Sequence, residues 1–109
     1  MEKIPHIIHY CWFGGNEKPE LVHRCIASWR EHLPDWEIRE WNEGNYDISR
    51  FRFTQEAYDH KKWAFVADVA RFDILSQYGG VYFDTDVELL NPIPEAILQS
   101  MIATIIAPL

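Results

Sequence analysis

Hydrophobic residues along the first half of the chain follow two spacings, one typical of strands and one typical of helices. Residues 4–13 are nearly continuously apolar and rich in β-formers, and turn residues follow them, which predicts a buried strand that ends in a loop. In residues 19–33 the apolar positions recur every three or four residues, which predicts an amphipathic helix with Pro19 in its first turn. Residues 36–41 predict a short second strand.

The second half has a different order, in which a short helix and a longer helix precede a strand. Residues 55–60 predict a short helix, and residues 61–78 carry apolar side chains on more than one stripe, which predicts a helix buried on most sides. Gly79-Gly80 ends that helix, and residues 81–87 predict a third strand. Alternation of strands and short crossover helices predicts an α/β fold with a mostly parallel, Rossmann-like sheet.

Composition narrows the class of protein. The 109 residues allow one domain, residues 1–109, and a net charge of −7 without a Lys/Arg cluster disfavours nucleic acid as a partner. No signal peptide or bilayer-length apolar stretch is visible, and two cysteines are too few for a disulfide scaffold, so we expect a reduced, cytoplasmic protein. The aromatic content of 15% fits a ring-rich core and, equally, rings that line a site.

The pair Asp84 and Asp86 is the first candidate for chemistry. In a strand over residues 81–87 the side chains of Tyr82, Asp84 and Asp86 point to one face, at a carboxyl end where open α/β sheets bind ligands. Two neighbouring carboxylates favour a hard divalent cation, Mg²⁺ or Mn²⁺. An isolated Asp-x-Asp also occurs in solvated loops, so the pattern alone leaves both interpretations open.

The long helix carries a second candidate, Asp68 and Arg71, three residues apart and therefore on one face. Their neighbours are apolar, which predicts that the pair lies in a largely buried wall. It is either a local ion pair or a polar contact for a ligand.

Several separated segments together resemble a known family. They are residues 4–15 (IPHIIHYCWFGG), residues 33–37 (LPDWE), Trp41-Asn42 and residues 64–86. In this order they resemble bacterial capsular-polysaccharide and related glycosyltransferases with a DXD sugar-binding motif. That group includes the yeast initiating α-mannosyltransferase type and is similar to the glucosyltransferase domain of large clostridial toxins. The resemblance covers residues 4 to about 92.

The resemblance implies a GT-A fold and transfer from a UDP- or GDP-linked sugar to a glycan or polysaccharide acceptor, with retention of anomeric configuration. A chain this acidic would bind such an anionic donor by way of a metal. The positions that match the family's donor site are Asp84 and Asp86 for Mn²⁺ or Mg²⁺, Asp84 also for the ribose or sugar, Asp68 and Arg71 for the sugar, Tyr82 for the nucleotide pocket, and Trp12 for the base. No residue is assigned as catalytic.

Domains of this family continue well beyond the DXD strand, whereas this chain stops at Leu109. We therefore expect the donor-binding portion of a glycosyltransferase, at most peripheral at the inner face of the membrane, with little sugar transfer by this chain alone. We also expect it to form homo-oligomers through its apolar residues 101–109. The alternative is a non-catalytic interaction module that no longer binds nucleotide sugar.

Overall fold

The computed structural model describes residues 5–94 and arranges them as a three-stranded parallel sheet with helices on both faces. The expectation of self-association through residues 101–109 lies outside the described residues. In chain order the elements are β1 (Ile7–Cys11), α1 (Glu20–His32), β2 (Glu37–Trp41), α2 (Arg52–Asp59), α3 (Trp63–Tyr78) and β3 (Val81–Tyr82), with a short 3-10 helix over Ile48–Arg50.

The strand order is β2-β1-β3, so β1 lies in the middle of the sheet. Ile8 pairs with Ile38 of β2 on one side and with Val81 of β3 on the other, and both pairings are parallel. This confirms the α/β class and the parallel sheet. The first two strands and all three helices begin and end within three residues of the sequence-based prediction.

Alternation along β1 sends successive side chains to opposite layers. Ile8 and Tyr10 pack with Trp29 of α1, whereas Cys11 packs with Val66 and neighbouring residues of α3. The helices therefore cover both faces of the sheet.

The prediction of a strand through residues 81–87 is wrong, because β3 ends at Tyr82. The next amide, that of Phe83, still bonds to the carbonyl of His9 at 3.0 Å, and the chain then turns. The turn closes where the amide of Val87 donates to the carbonyl of Asp84 at 3.1 Å.

Side chains of helix α1 form hydrogen bonds with the segment after the turn. Its Trp29 indole N–H donates to the carbonyl of Val87 at 2.7 Å, and the Ser28 hydroxyl accepts from the amide of Leu89 at 2.9 Å. The main-chain groups of Val87 and Leu89 therefore bond to a helix rather than to β1.

The prediction that the long helix is buried on most sides is also wrong. Val66, Ala70 and Ile74 are buried against the sheet, but Phe65 is 53% exposed. The sheet covers one side of α3 and the eight-residue α2 packs against only part of the rest. The outer apolar side faces a groove lined by Phe51, Phe53, Phe65, Val69 and Phe72.

A fully buried histidine joins the sheet to the end of α3. His9 Nε2 donates to the carbonyl of Gly79 at 2.8 Å, and its Nδ1 accepts from the indole N–H of Trp41 at 3.0 Å. Burial lowers the pKa of His9, so the ring is neutral and carries its proton on Nε2. Gly79 has a positive φ of 68° and ends the helix, as its sequence position predicted.

Within residues 5–94, no helix has the length and apolar character needed to cross a bilayer.

Candidate functional site

A cleft of about 620 Å³ lies where the chain leaves the carboxyl ends of β1 and β3. Five of the six candidate residues line it, although they are widely separated in the sequence: Trp12, Asp68, Tyr82, Asp84 and Asp86. The sixth, Arg71, does not line the cleft but lies beside Tyr82, with its guanidinium carbon 5.7 Å from the centre of the Tyr82 ring.

Asp84 and Asp86 lie at the open side of the cleft. Both residues are exposed, and neither carboxylate forms a hydrogen bond or an ion pair with another described side chain. Residues 5–94 contain no group of three His, Cys, Asp or Glu side chains that could hold a metal ion. The described part of the chain therefore offers two carboxylates, a donor set that fits Mg²⁺ or Mn²⁺ when phosphates and water complete the coordination.

The charges around these carboxylates favour the same interpretation. Within the described range, the residues that line the cleft include no Lys or Arg. An anionic ligand would therefore meet the negative charge of Glu17, Asp84 and Asp86, unless a cation lies between them and the ligand.

Asp68 and Arg71 lie on one face of α3, as their spacing predicted. Their nearest side-chain atoms are 3.8 Å apart, and the side chains are 58% and 27% exposed, respectively. The expectation of a largely buried wall is thus wrong for Asp68, because the cleft leaves this part of α3 open to solvent. An ion pair this long and this exposed adds little to stability.

Arg71 contains the one buried side-chain polar atom without a hydrogen-bond partner among the described residues, its Nε. The guanidinium lies between the rings of Phe72 and Tyr82, with its carbon 4.9 Å and 5.7 Å from their centres. Stacking on rings stabilises the cation but leaves this donor unused, so Arg71 keeps hydrogen-bonding capacity next to the cleft.

The inner end of the cleft is polar but uncharged. The Cys11 thiol and the Tyr82 hydroxyl are the polar groups there. Burial raises the pKa of Cys11 to about 12 and also raises the pKa of Tyr82, so both groups stay protonated near neutral pH. Cys11 is therefore not a nucleophile here.

The ring of Trp12 is fixed in one wall. Its indole N–H donates to the carbonyl of Asn16 at 2.7 Å, and the ammonium of Lys18 lies 5.9 Å from the ring centre. Lys18 in turn contacts Glu40 at 2.7 Å. Burial opposes ionisation of Glu40, but hydrogen bonds from Lys18, Tyr10 and Asn42 outweigh it and lower its pKa, which favours the ionised carboxylate.

Sequence reasoning missed several residues of this cleft. Trp63, the first residue of α3, lines it and touches the backbone at Gly14. A tryptophan at the start of a helix in an aromatic-rich chain was the available signal, but helical periodicity assigns it to the core. Asn16, Glu17, Pro19, Ala64, Ala67 and Thr85 also line the cleft.

Comparison with known proteins identifies one family, and the relatives that match include two proteins from fission yeast. The model of the glycosyltransferase sugar-binding region containing the DXD motif matches residues 19–103. Inositol phosphoceramide mannosyltransferase 1 of Schizosaccharomyces pombe is 33% identical over 117 aligned residues, which cover 99% of this chain and 35% of that protein. Inositol phosphoceramide mannosyltransferase 3 is 34% identical over 90 residues, covering 77% of this chain and 24% of that protein.

The aligned region thus covers about a third or less of the length of these curated relatives. No solved structure gives a significant match.

Proposed function

The chain belongs to the family of glycosyltransferases with a DXD-containing sugar-binding region, and on this premise we propose that it binds a nucleotide sugar through a divalent metal at Asp84 and Asp86. The bound donor would serve transfer of a hexose to a glycan or polysaccharide acceptor. The three-stranded sheet corresponds in this proposal to the donor-binding portion of a GT-A domain.

One observation carries the proposal: residues from three distant parts of the sequence line a single cleft. Trp12 follows β1, Asp68 lies on α3, and Asp84 and Asp86 follow β3. A flat ring, a polar helix residue and two unpaired carboxylates supply complementary contacts for a base, a sugar and a metal-bound diphosphate.

Each side chain has a distinct task in this proposal. Asp84 and Asp86 hold Mn²⁺ or Mg²⁺, which when bound neutralises the diphosphate and stabilises it as a leaving group. Trp12 presents its ring to the base and Tyr82 borders the nucleotide. Asp68 accepts hydrogen bonds from sugar hydroxyls, and Arg71, which lies beside Asp68 and Tyr82, is assigned to the sugar through the family resemblance.

The names of the relatives bear on the sugar. Both yeast proteins are called mannosyltransferases. We extend this to the present chain as the proposal that the donor is a nucleotide-linked hexose such as mannose. Retention of configuration and a role in capsular-polysaccharide synthesis belong to the proposal through family resemblance alone.

Calorimetric titration tests the proposal. UDP and GDP are titrated into the chain with Mn²⁺, with Mg²⁺ and with EDTA. We expect saturable binding of one nucleotide that requires the metal. Absence of metal-dependent binding for both nucleotides would contradict the proposal.

A second candidate function is an interaction module, and the exposed groove between α2 and α3 favours it. The groove has a volume of about 540 Å³, and Phe51, Phe53 and Phe65 are 40%, 54% and 53% exposed. Exposed apolar patches of this kind mark contact surfaces. The same titration separates the two candidates, because a module without a donor site binds neither nucleotide.

A further inference from the structure

The loop between β1 and α1 forms one wall of the cleft and has no regular secondary structure of its own. Its Gly14 has a positive φ of 98°, and a Cβ added there would lie 2.6 Å from Cε2 of Trp63. The backbone of the loop therefore lies directly against the Trp63 indole, which lines the same cleft.

A carboxylate outside the cleft fixes this contact. Glu43, in the turn after β2, accepts the amide N–H of Gly14 on Oε2 at 2.8 Å. The same oxygen accepts the hydroxyl of Tyr58, on α2, at 3.0 Å. The Tyr58 ring packs edge-on against Trp63, with the ring centres 5.2 Å apart and an angle of 62° between the planes.

The four residues thus form a closed set of contacts: Gly14 to Glu43, Glu43 to Tyr58, Tyr58 to Trp63, and Trp63 back to Gly14. Among the described residues that line the cleft, neither Glu43 nor Tyr58 occurs, so both act on it only through Gly14 and Trp63. Burial disfavours the charge on Glu43, but the hydrogen bonds outweigh it and lower its pKa, in keeping with an ionised acceptor.

We propose that Glu43 is a positioning residue of the donor cleft, which holds the Gly14 loop against Trp63 in the shape that binds the nucleotide. This inference rests on the proposed function and names a residue for it that does not touch the ligand. A loop already held in its binding shape loses less entropy when the ligand binds, and the saved entropy appears as affinity.

Two variants of Glu43 separate positioning from charge. In Glu43→Gln the side-chain carbonyl can still accept from both donors, whereas Glu43→Ala removes the acceptor. We expect Glu43→Ala to weaken metal-dependent UDP or GDP binding about tenfold and Glu43→Gln to restore most of it. Glu37→Ala, which removes an exposed carboxylate paired with Arg39 on β2, is the matched control and should bind like the wild type.

Hydrogen exchange tests whether the effect of the substitution is confined to the Gly14 loop. In Glu43→Ala without nucleotide, the Gly14 amide should lose its protection, while the amides of β1 and α3 keep theirs. Unchanged nucleotide affinity in Glu43→Ala, or unchanged protection of Gly14, would overturn the positioning role alone. A wild-type chain that binds neither nucleotide would overturn the proposed function and the positioning role with it.

Discussion

The indole nitrogen of Trp29 lies 2.7 Å from the carbonyl oxygen of Val87 and donates a hydrogen bond to it. Trp29 is fully buried between α1 and the sheet, and Val87 immediately follows the turn that carries Asp84 and Asp86. One core side chain therefore connects the first helix to the two candidate metal ligands.

We predict that Trp29→Phe destabilises the fold and loosens this turn. Phenylalanine keeps a ring but leaves a cavity and removes the donor to the Val87 carbonyl, so the free energy of unfolding should fall by about 2 to 4 kcal/mol. Urea unfolding measures the loss. Trp36→Phe is the control, because Trp36 is only half-buried and stacks on His6 at 4.5 Å, and a loss as large there would contradict a specific role of Trp29.

For the carboxylates, Asp86→Ala should abolish metal-dependent nucleotide binding without unfolding the domain. Asp86 is exposed and makes no side-chain hydrogen bond within the described residues, so its removal should change stability by less than about 0.5 kcal/mol. Calorimetry with Mn²⁺ measures the binding, with Asp35→Ala as a control for loss of an exposed carboxylate elsewhere. Wild-type affinity in Asp86→Ala would rule out its role as a metal ligand.

Asp68 should affect the sugar rather than the nucleotide. If its carboxylate accepts from sugar hydroxyls, Asp68→Asn weakens binding of GDP-mannose or a UDP-hexose about tenfold and leaves binding of free GDP or UDP unchanged. Parallel titrations of each nucleotide and its sugar conjugate measure the difference. Equal losses for both ligands would show that Asp68 acts on the cleft as a whole.

Local sequence patterns predicted the three helices and the first two strands, but not the course of the chain after β3. The sequence of residues 81–87 predicts a strand, yet pairing stops at Tyr82, the chain turns, and Trp29 and Ser28 bond to the segment after the turn. These partners lie 58 and 61 positions away in the sequence, beyond any local window. All the candidate residues except Arg71 still line one cleft, because the turn also presents Asp84 and Asp86 to it.

We expect His9 to make the folded state less stable in mild acid. Its pKa is lowered in the folded state from the ordinary value of 6.5, so below pH 6.5 the unfolded chain takes up a proton that the folded chain does not. Stability is therefore full above pH 6.5 and falls below it, by up to about 1.4 kcal/mol per pH unit.

Urea unfolding at pH 7.5, 6.5 and 5.5 measures this loss, and an NMR titration of the His9 ring checks its cause. Replacement of the exposed His23 by Gln is the control and should leave the acid-side loss unchanged. Equal stability of the wild type at pH 7.5 and 5.5 would contradict the prediction.

Alanine substitutions at Gly15 and Gly80 separate the cost of a strained backbone dihedral from the cost of a steric clash. Gly80 has φ +92°, and a Cβ there would lie 2.6 Å from the carbonyl oxygen of Ile7 in β1, whereas Gly15 has φ +69° and open space around it. We expect Gly15→Ala to cost about 1 kcal/mol through its dihedral alone, and Gly80→Ala to cost about 3 kcal/mol or more. Thermal unfolding measures the stability of both variants. Similar losses would show that the backbone of β1 at Ile7 shifts easily to make room for the added Cβ.

The contacts that the sequence did not predict are all made by tertiary packing. Glu43 lies in the turn after β2, Tyr58 on α2 and Trp63 on α3, and they meet where the chain crosses from β2 to β3. Motif spacing identifies side chains that a ligand would touch, since those follow strand ends. Side chains that support the ligand-contacting ones are brought together by tertiary packing and show no regular spacing in the sequence.

The strand order β2-β1-β3 determines where substitutions can alter ligand binding without altering the sheet. After β1 the chain passes through α1 on one face to reach β2, and it then returns through α3 on the other face to reach β3. The connection that leaves β1 runs towards β2 and therefore away from β3, which leaves a gap between the carboxyl ends of β1 and β3. Trp12 and Asp84 follow the two strands that border this gap, so connectivity fixes the place of the cleft while its chemistry depends on interchangeable loop residues. Within this architecture, substitutions there can alter ligand preference without altering the sheet.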